Sequence, residues 1–219
     1  MIPGPDHVYA CRGCGSLVRI ASLVSGNTVG AVWWTDGKMS APMLPEVPSF
    51  SRCGGCRRFF WVSGLKEVGK IQHMVGGSGA RPEWLQAPRI RELEEDELLE
   101  AIDAGLFGDR NEELYLRVRA WWAANEPLRD LPPGEGTADG AGLSQRAQAN
   151  LERLAGMFDS GQPDERLFLA EIERERGRFE TALDLLRADF PAQFSAAADR
   201  IRELAQARDA LVRRISPKG

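Results

Sequence analysis

The spacing of hydrophobic positions changes period once along the chain. Over the first 63 residues the apolar runs are short and closely punctuated by turn signals. Leu17 to Val24 mixes apolar and polar side chains, and Ser25-Gly26-Asn27 closes it. Thr28 to Trp34 is rich in β-branched and aromatic residues, the composition of a strand. Asp36-Gly37 then predicts a tight hairpin, because glycine adopts positive φ without strain. Pro42, Pro45 and Pro48 keep the returning segment from being a long central strand, and Arg58 to Val62 (RFFWV) reads as a last short one. Residues 64–83, with glycines at 64, 69, 76, 77 and 79, read as a connector.

From Leu93 onward the period lengthens to that of a helix. Leu93, Leu98, Leu99 and Ile102 mark an apolar stripe in an acidic stretch stopped by Gly105 and Gly108. Asp109 or Asn111 can cap a second helix running through Leu114, Val118, Trp121 and Trp122 towards Pro127. Residues 130–142 (DLPPGEGTADGAG) predict a flexible loop. Helix resumes from Ser144 to about Met157, followed by Asp164 to Arg176, Phe179 to Ala188, and Ala192 to about Arg214. The expected fold class is therefore α+β, with a β module at 1–63, a connector at 64–83 and an all-helical module at 84–219.

Composition narrows this little: 219 residues, 43% hydrophobic and 27% charged, are ordinary for a globular chain. The net charge of −4 is unevenly placed, however. Residues 1–75 carry eight Lys/Arg against four Asp/Glu, so the acidity belongs to the helices. No apolar run reaches the length of a membrane span. MIPGPDHVYA lacks the basic region and apolar core of a signal peptide, which makes the cytoplasm the expected compartment.

The most specific chemistry is a pair of CxxC motifs, Cys11-Arg12-Gly13-Cys14 and Cys53-Gly54-Gly55-Cys56. A CxxC turn aims two thiolates at one ion, and two turns complete a tetrahedral S₄ site suited to Zn²⁺ or a single iron. The 38 residues between Cys14 and Cys53 exceed the compact spacing, but hairpins can fold them back. His7 and His73 read as surface or packing residues.

Residues 8–63 resemble a zinc ribbon, two CxxC knuckles on β-hairpins bridged by one zinc. CRGCG carries that family's glycine after the second cysteine; in CGGCR, Arg57 stands there instead. The resemblance implies one structural Zn²⁺ held by Cys11, Cys14, Cys53 and Cys56, with no open coordination position. Rubredoxins are built on similar knuckles, which keeps iron-based electron transfer as an alternative. The stretch Trp33 to Pro45 between the knuckles is similar to one in uncharacterised bacterial proteins, and implies no activity.

Two other features bear on partners. Adjacent Trp33 and Trp34 on a strand point to opposite faces, so at most one is readily buried. Trp33, Trp34, Trp61, Trp121 and Trp122 are candidate partner-binding residues, with packing inside the protein as the competing role. Glu175 to Leu183 resembles the turn and second helix of a tetratricopeptide repeat, Gly177, Phe179 and Ala182 matching its positions. Glu173 and Arg166 depart from that pattern where aromatics are usual. One repeat implies a TPR-like bundle, and through it protein or peptide binding.

These readings predict a non-enzymatic zinc-binding adaptor that engages another protein. Nucleic-acid binding is the alternative, with Arg12, Arg19, Lys38, Arg52, Arg57 and Arg58 meeting phosphates while aromatics stack on bases. The acidic run around Glu92 to Glu100 reads as a solvated helix face, with no catalytic role.

Overall fold

A computed structural model describes residues 1–72, 80–132 and 142–215. His73, and residues 133–141 of the expected loop, lie outside these. Ten strands and seven α-helices are defined within them. The strands are β1 (Ile2–Pro3), β2 (Asp6–Ala10), β3 (Leu17–Ile20), β4 (Leu23–Ser25), β5 (Val32–Trp34), β6 (Met39–Ser40), β7 (Phe50–Arg52), β8 (Phe59–Trp61), β9 (Lys66–Ile71) and β10 (Arg214–Ile215). The helices are α1 (Pro82–Gln86), α2 (Glu95–Asp103), α3 (Arg110–Asn125), α4 (Gln145–Ala155), α5 (Pro163–Glu175), α6 (Phe179–Leu185) and α7 (Ala192–Gln206). The chain is thus small antiparallel sheets followed by helices. It divides into two compact units, one of residues 1–31 and 40–93, the other of residues 32–39 and 94–219.

In the first unit β2 is central, flanked antiparallel by β3 and β9, while β1 pairs with β4 and β7 with β8. Burial along β2 follows the two-residue period of a pleated strand: Val8 is buried and its neighbours His7 and Tyr9 are half-buried. Ile20 and Ile71 close the same core. The second hairpin packs by its rings, with Phe50 5.6 Å from Phe59 and 4.8 Å from Trp61. Residues 66–71 form a strand where the glycines predicted a connector. Gly69 is there because the Trp84 ring of α1 covers it. A Cβ on Gly69 would lie 2.0 Å from the Trp84 ring.

The second unit holds most of the helices. Trp121, Leu151, Leu154, Met157 and Ile172 make one buried cluster, and Ala170, Leu186, Ala198 and Ile201 another. Phe179 and Ala182 of α6 pack with Ala205, Ala210 and Leu211. Fully burying a side chain of this size contributes roughly 1.5–3 kcal/mol. Asp109 caps α3 by accepting the Asn111 and Glu112 N–H groups, and Glu94 and Glu97 form a capping box on α2. Part of the acidic run therefore secures a helix start.

Gly177, with φ 76°, sits in the turn that ends α5, where the Arg178 N–H reaches the Glu173 carbonyl and the Gly177 N–H the Arg174 carbonyl. The departures from the repeat pattern have local causes. Glu173 pairs with Arg178 across this turn, and the Arg166 guanidinium lies 4.7 Å over the Phe190 ring.

The last helix is shorter than its sequence suggests. It ends at Gln206 because Arg208 takes φ 54° and the Asp209 N–H closes onto the Leu204 carbonyl, the same stop built without glycine. Ala210, Leu211 and Val212 are then buried consecutively, and β10 pairs with β5. Leu211, inside the expected helix, is a core residue from the chain beyond the helix end. Arg213 pairs with Asp209 and donates to the Leu131 carbonyl.

Gly69→Ala should destabilise the first unit by about 1–3 kcal/mol, since overpacking against Trp84 has no flexible side chain to relieve it. Gly64→Ala, where a Cβ would meet nothing within 4 Å, serves as control. Denaturant unfolding of both variants checks this.

Candidate metal centre

Each CxxC motif sits at the tip of an antiparallel hairpin, the first between β2 and β3, the second between β7 and β8. The two tips repeat one backbone plan. The Cys11 N–H donates to the Ser16 carbonyl and the Gly15 N–H to the Cys11 carbonyl, at 2.9 Å each. In the second tip, Cys53 N–H donates to the Arg58 carbonyl at 2.9 Å and Arg57 N–H to the Cys53 carbonyl at 3.0 Å. The turn demands a left-handed residue after the second cysteine. Gly15 supplies it at φ 76° and Arg57 supplies it at φ 62°. A non-glycine residue there costs roughly 1–2 kcal/mol, so the second tip is built correctly but under strain.

The tips bring all four sulfurs within 4.8 Å of one another. Cys11 Sγ lies 3.7 Å from Cys56 Sγ, and Cys14 Sγ 3.7 Å from Cys53 Sγ, with no disulfide among them. A tetrahedral ion with metal–sulfur bonds of about 2.3 Å sets its sulfurs roughly 3.8 Å apart. The four cysteines therefore fit a metal ion, each hairpin giving one buried and one more accessible ligand: Cys11 and Cys53 are buried, Cys14 is exposed and Cys56 half-buried. Among the described residues no histidine or carboxylate joins this group. His7 instead meets Glu67 at 3.1 Å.

The electrostatics suit a dication. The Ser16 hydroxyl and backbone N–H draw the Cys14 thiol down to about 6. On Cys56 the Arg58 N–H pulls the same way, but burial and the three neighbouring sulfurs outweigh it and push that thiol up to about 11. Crowded sulfurs cannot all ionise unless a positive charge sits among them, which couples metal binding to proton release.

Two supporting features had no signal in the motif itself. Ser16 holds Cys14, at 3.2 Å between Oγ and Sγ. Gly55 passes so close to the other tip that a Cβ would stand 2.2 Å from Ser16 Oγ and 3.3 Å from Cys14 Sγ, whereas one on Gly54 would meet nothing within 4 Å. The two glycines of CGGC look alike in sequence; only one is packed against the opposing knuckle.

The five candidate tryptophans are not all surface residues. Trp61 packs on Phe50 in the first unit. In the second unit Trp34 and Trp121 are buried, at 6% and 1% exposure, and Trp33 keeps 47% of its surface. The alternation read from the sequence is thus seen for Trp33 and Trp34. Trp122 is half-buried and donates its indole N–H to the Asp36 carbonyl at 3.0 Å. Asp36 itself has no exposed surface. Its carboxylate takes a bidentate pair from Arg129, at 2.7 and 3.3 Å, and that guanidinium also lies 4.8 Å over the Trp34 ring.

Gly55→Ala should weaken metal retention at least tenfold while Gly54→Ala leaves it unchanged, read by competition with a chromogenic chelator. Arg57→Gly should raise stability against denaturant by about 1 kcal/mol through relief of the left-handed strain, and Arg57→Val should lower it. Comparison with protein-family models, with curated proteins and with solved structures finds no match to the chain.

Proposed function

We propose that the protein is a non-enzymatic adaptor in which a zinc-ribbon module, knit by one structural Zn²⁺, is joined to a TPR-like helical module, and that it works by engaging another protein. The observation that carries this reading is the closed donor set: four sulfurs from two hairpin tips, within 4.8 Å of one another. Four thiolates fill a tetrahedral shell, which leaves no position for water or substrate and directs the metal's free energy into folding. Cys11, Cys14, Cys53 and Cys56 would hold the ion, and Ser16 and Gly55 would keep them in register.

Protein engagement is supported by apolar surface on the first unit. Val24, on β4, is 70% exposed and Ile2, on its partner strand β1, is 57% exposed, and Val29 in the turn beyond β4 is 74% exposed. In the second unit, the positive φ of Gly177 and the burial of Phe179 and Ala182 support the reading of a TPR-like, protein-binding bundle.

Nucleic-acid binding is a second reading, favoured by the arginines around the knuckles. Arg12, Arg57 and Arg58 are exposed there, with Arg58 Cδ 3.3 Å from where a Cβ on Gly13 would be. Against it, Phe59 and Trp61 are already engaged with Phe50, so they are poorly placed to stack on bases.

Metal analysis of purified protein should give one zinc per chain and a colourless solution, with Cys11→Ser and Cys53→Ser each abolishing it. A red, iron-loaded protein would replace the zinc assignment with the electron-transfer one. Cross-linking in cells should capture a protein partner that Val24→Asp with Val29→Asp loses while the zinc content stays intact. Oligonucleotide binding whose affinity falls steeply with salt would move the reading to nucleic acid.

A further inference from the structure

The second unit contains a group of charged side chains with almost no access to water. Asp36 comes from the β5–β6 hairpin, Arg129 from the turn after α3, and Glu171, Arg174 and Glu175 from α5. Their exposures run from 0% to 6%. Four of these five are matched in pairs. Arg129 forks onto Asp36, and Arg174 forks onto Glu171 while also donating to the Asp209 carbonyl. The fifth, Glu175, faces uncharged donors. Its Oε2 accepts from the Trp121 indole N–H at 2.8 Å, and both its oxygens accept from Asn125 Nδ2, at 3.1 and 3.2 Å. The same Asn125 nitrogen donates to Asp36 Oδ2 at 3.1 Å, so one amide bridges the two carboxyls.

The charge count follows directly. With every group ionised the cluster holds three negative and two positive charges in a site without solvent. One proton on Glu175 brings it to neutrality. The other ionic groups nearby are already committed: Lys38 and Arg129 Nε to Glu126, and the Asp209 carboxylate to Arg213. Burial, with the negative charges of Glu171 and Asp36, pushes the Glu175 carboxyl well above its ordinary range, while Arg174 and the Trp121 N–H oppose this only in part.

We infer that Glu175 is held protonated at neutral pH and that its ionisation in alkaline solution loosens the docking of residues 32–39 onto α3 and α5. The sign is fixed by linkage. A carboxyl whose folded-state affinity for protons exceeds its unfolded one stabilises the fold at low pH. That contribution is lost as pH rises past the unfolded value towards the folded one. The hairpin is the part to yield, because Asp36 is the carboxylate tied to Glu175 through Asn125, and like charge on both would face the same amide.

Three measurements test this on the full chain. Infrared spectra of the parent at neutral pH should show the carbonyl stretch of a buried, protonated carboxylic acid, lost in alkaline buffer. Over the same pH range, hydrogen-exchange protection factors of the Trp34, Gly37 and Lys38 amides should drop at least tenfold in the parent and stay level in Glu175→Gln. The melting temperature of Glu175→Gln relative to the parent should climb with pH, whatever its offset at neutral pH. Absence of the acid band at neutral pH, or parallel stability curves for the two proteins, would overturn the inference. Should the Gln variant not fold, the band and hairpin protection of the parent decide alone, and a band that persists while protection falls refutes it.

Discussion

An aspartate with no exposed surface must be neutralised where it lies, and among the described residues Arg129 is the cation that does so for Asp36, through a two-pronged contact. Taking either ion from water costs several kcal/mol, and removing one partner of such a pair typically costs about 3–5 kcal/mol. This one requirement places several elements together. It holds the β5–β6 turn against α3, stacks Arg129 on Trp34, and aligns Asn125 to bridge Asp36 with Glu175. The Thr35 N–H donates to the Arg213 carbonyl, and β10 pairs with β5, so the C-terminal segment is drawn into the same assembly. Residues 32–39 are part of the helical unit for this reason, although their neighbours on both sides in sequence belong to the other.

The first unit is held differently. Its buried apolar set is sparse, Val8, Ile20, Phe50, Ile71 and Leu93 being its larger members. Its sheets have two or three short strands each. Small sheets of this kind are marginal without a further constraint. A metal held by the four cysteines would supply one, because its binding energy is expressed as folding energy. The strain accepted at Arg57 is of a size such a centre readily offsets.

Much of this was legible in the chain. CxxC spacing picked out the four cysteines that the fold brings together, because metal chemistry restricts both residue type and local geometry. Helix starts and stops at Asp109, Ser144 and Gly177 were legible because caps are local devices. What escaped were features created by distant chain. Strand β9 hides behind a glycine whose purpose is to admit Trp84. The early end of α7 rests on a left-handed Arg208, whose guanidinium lies 4.9 Å over the Phe179 ring of α6, a contact no local pattern announces. Gly54 and Gly55 differ only in what lies opposite them. Asp36 read as a turn residue, which it is, yet its burial depends on an arginine 93 positions away.

The order of these elements along the chain has an energetic consequence of its own. The hairpin carrying Asp36 lies between Cys14 and Cys53, so a metal bound at the knuckles closes a loop that contains it. Closing a loop of some 40 residues costs on the order of 4 kcal/mol of chain entropy, and the metal meets that cost when it binds. A hairpin inside an already closed loop has fewer conformations to surrender when it docks on the helices.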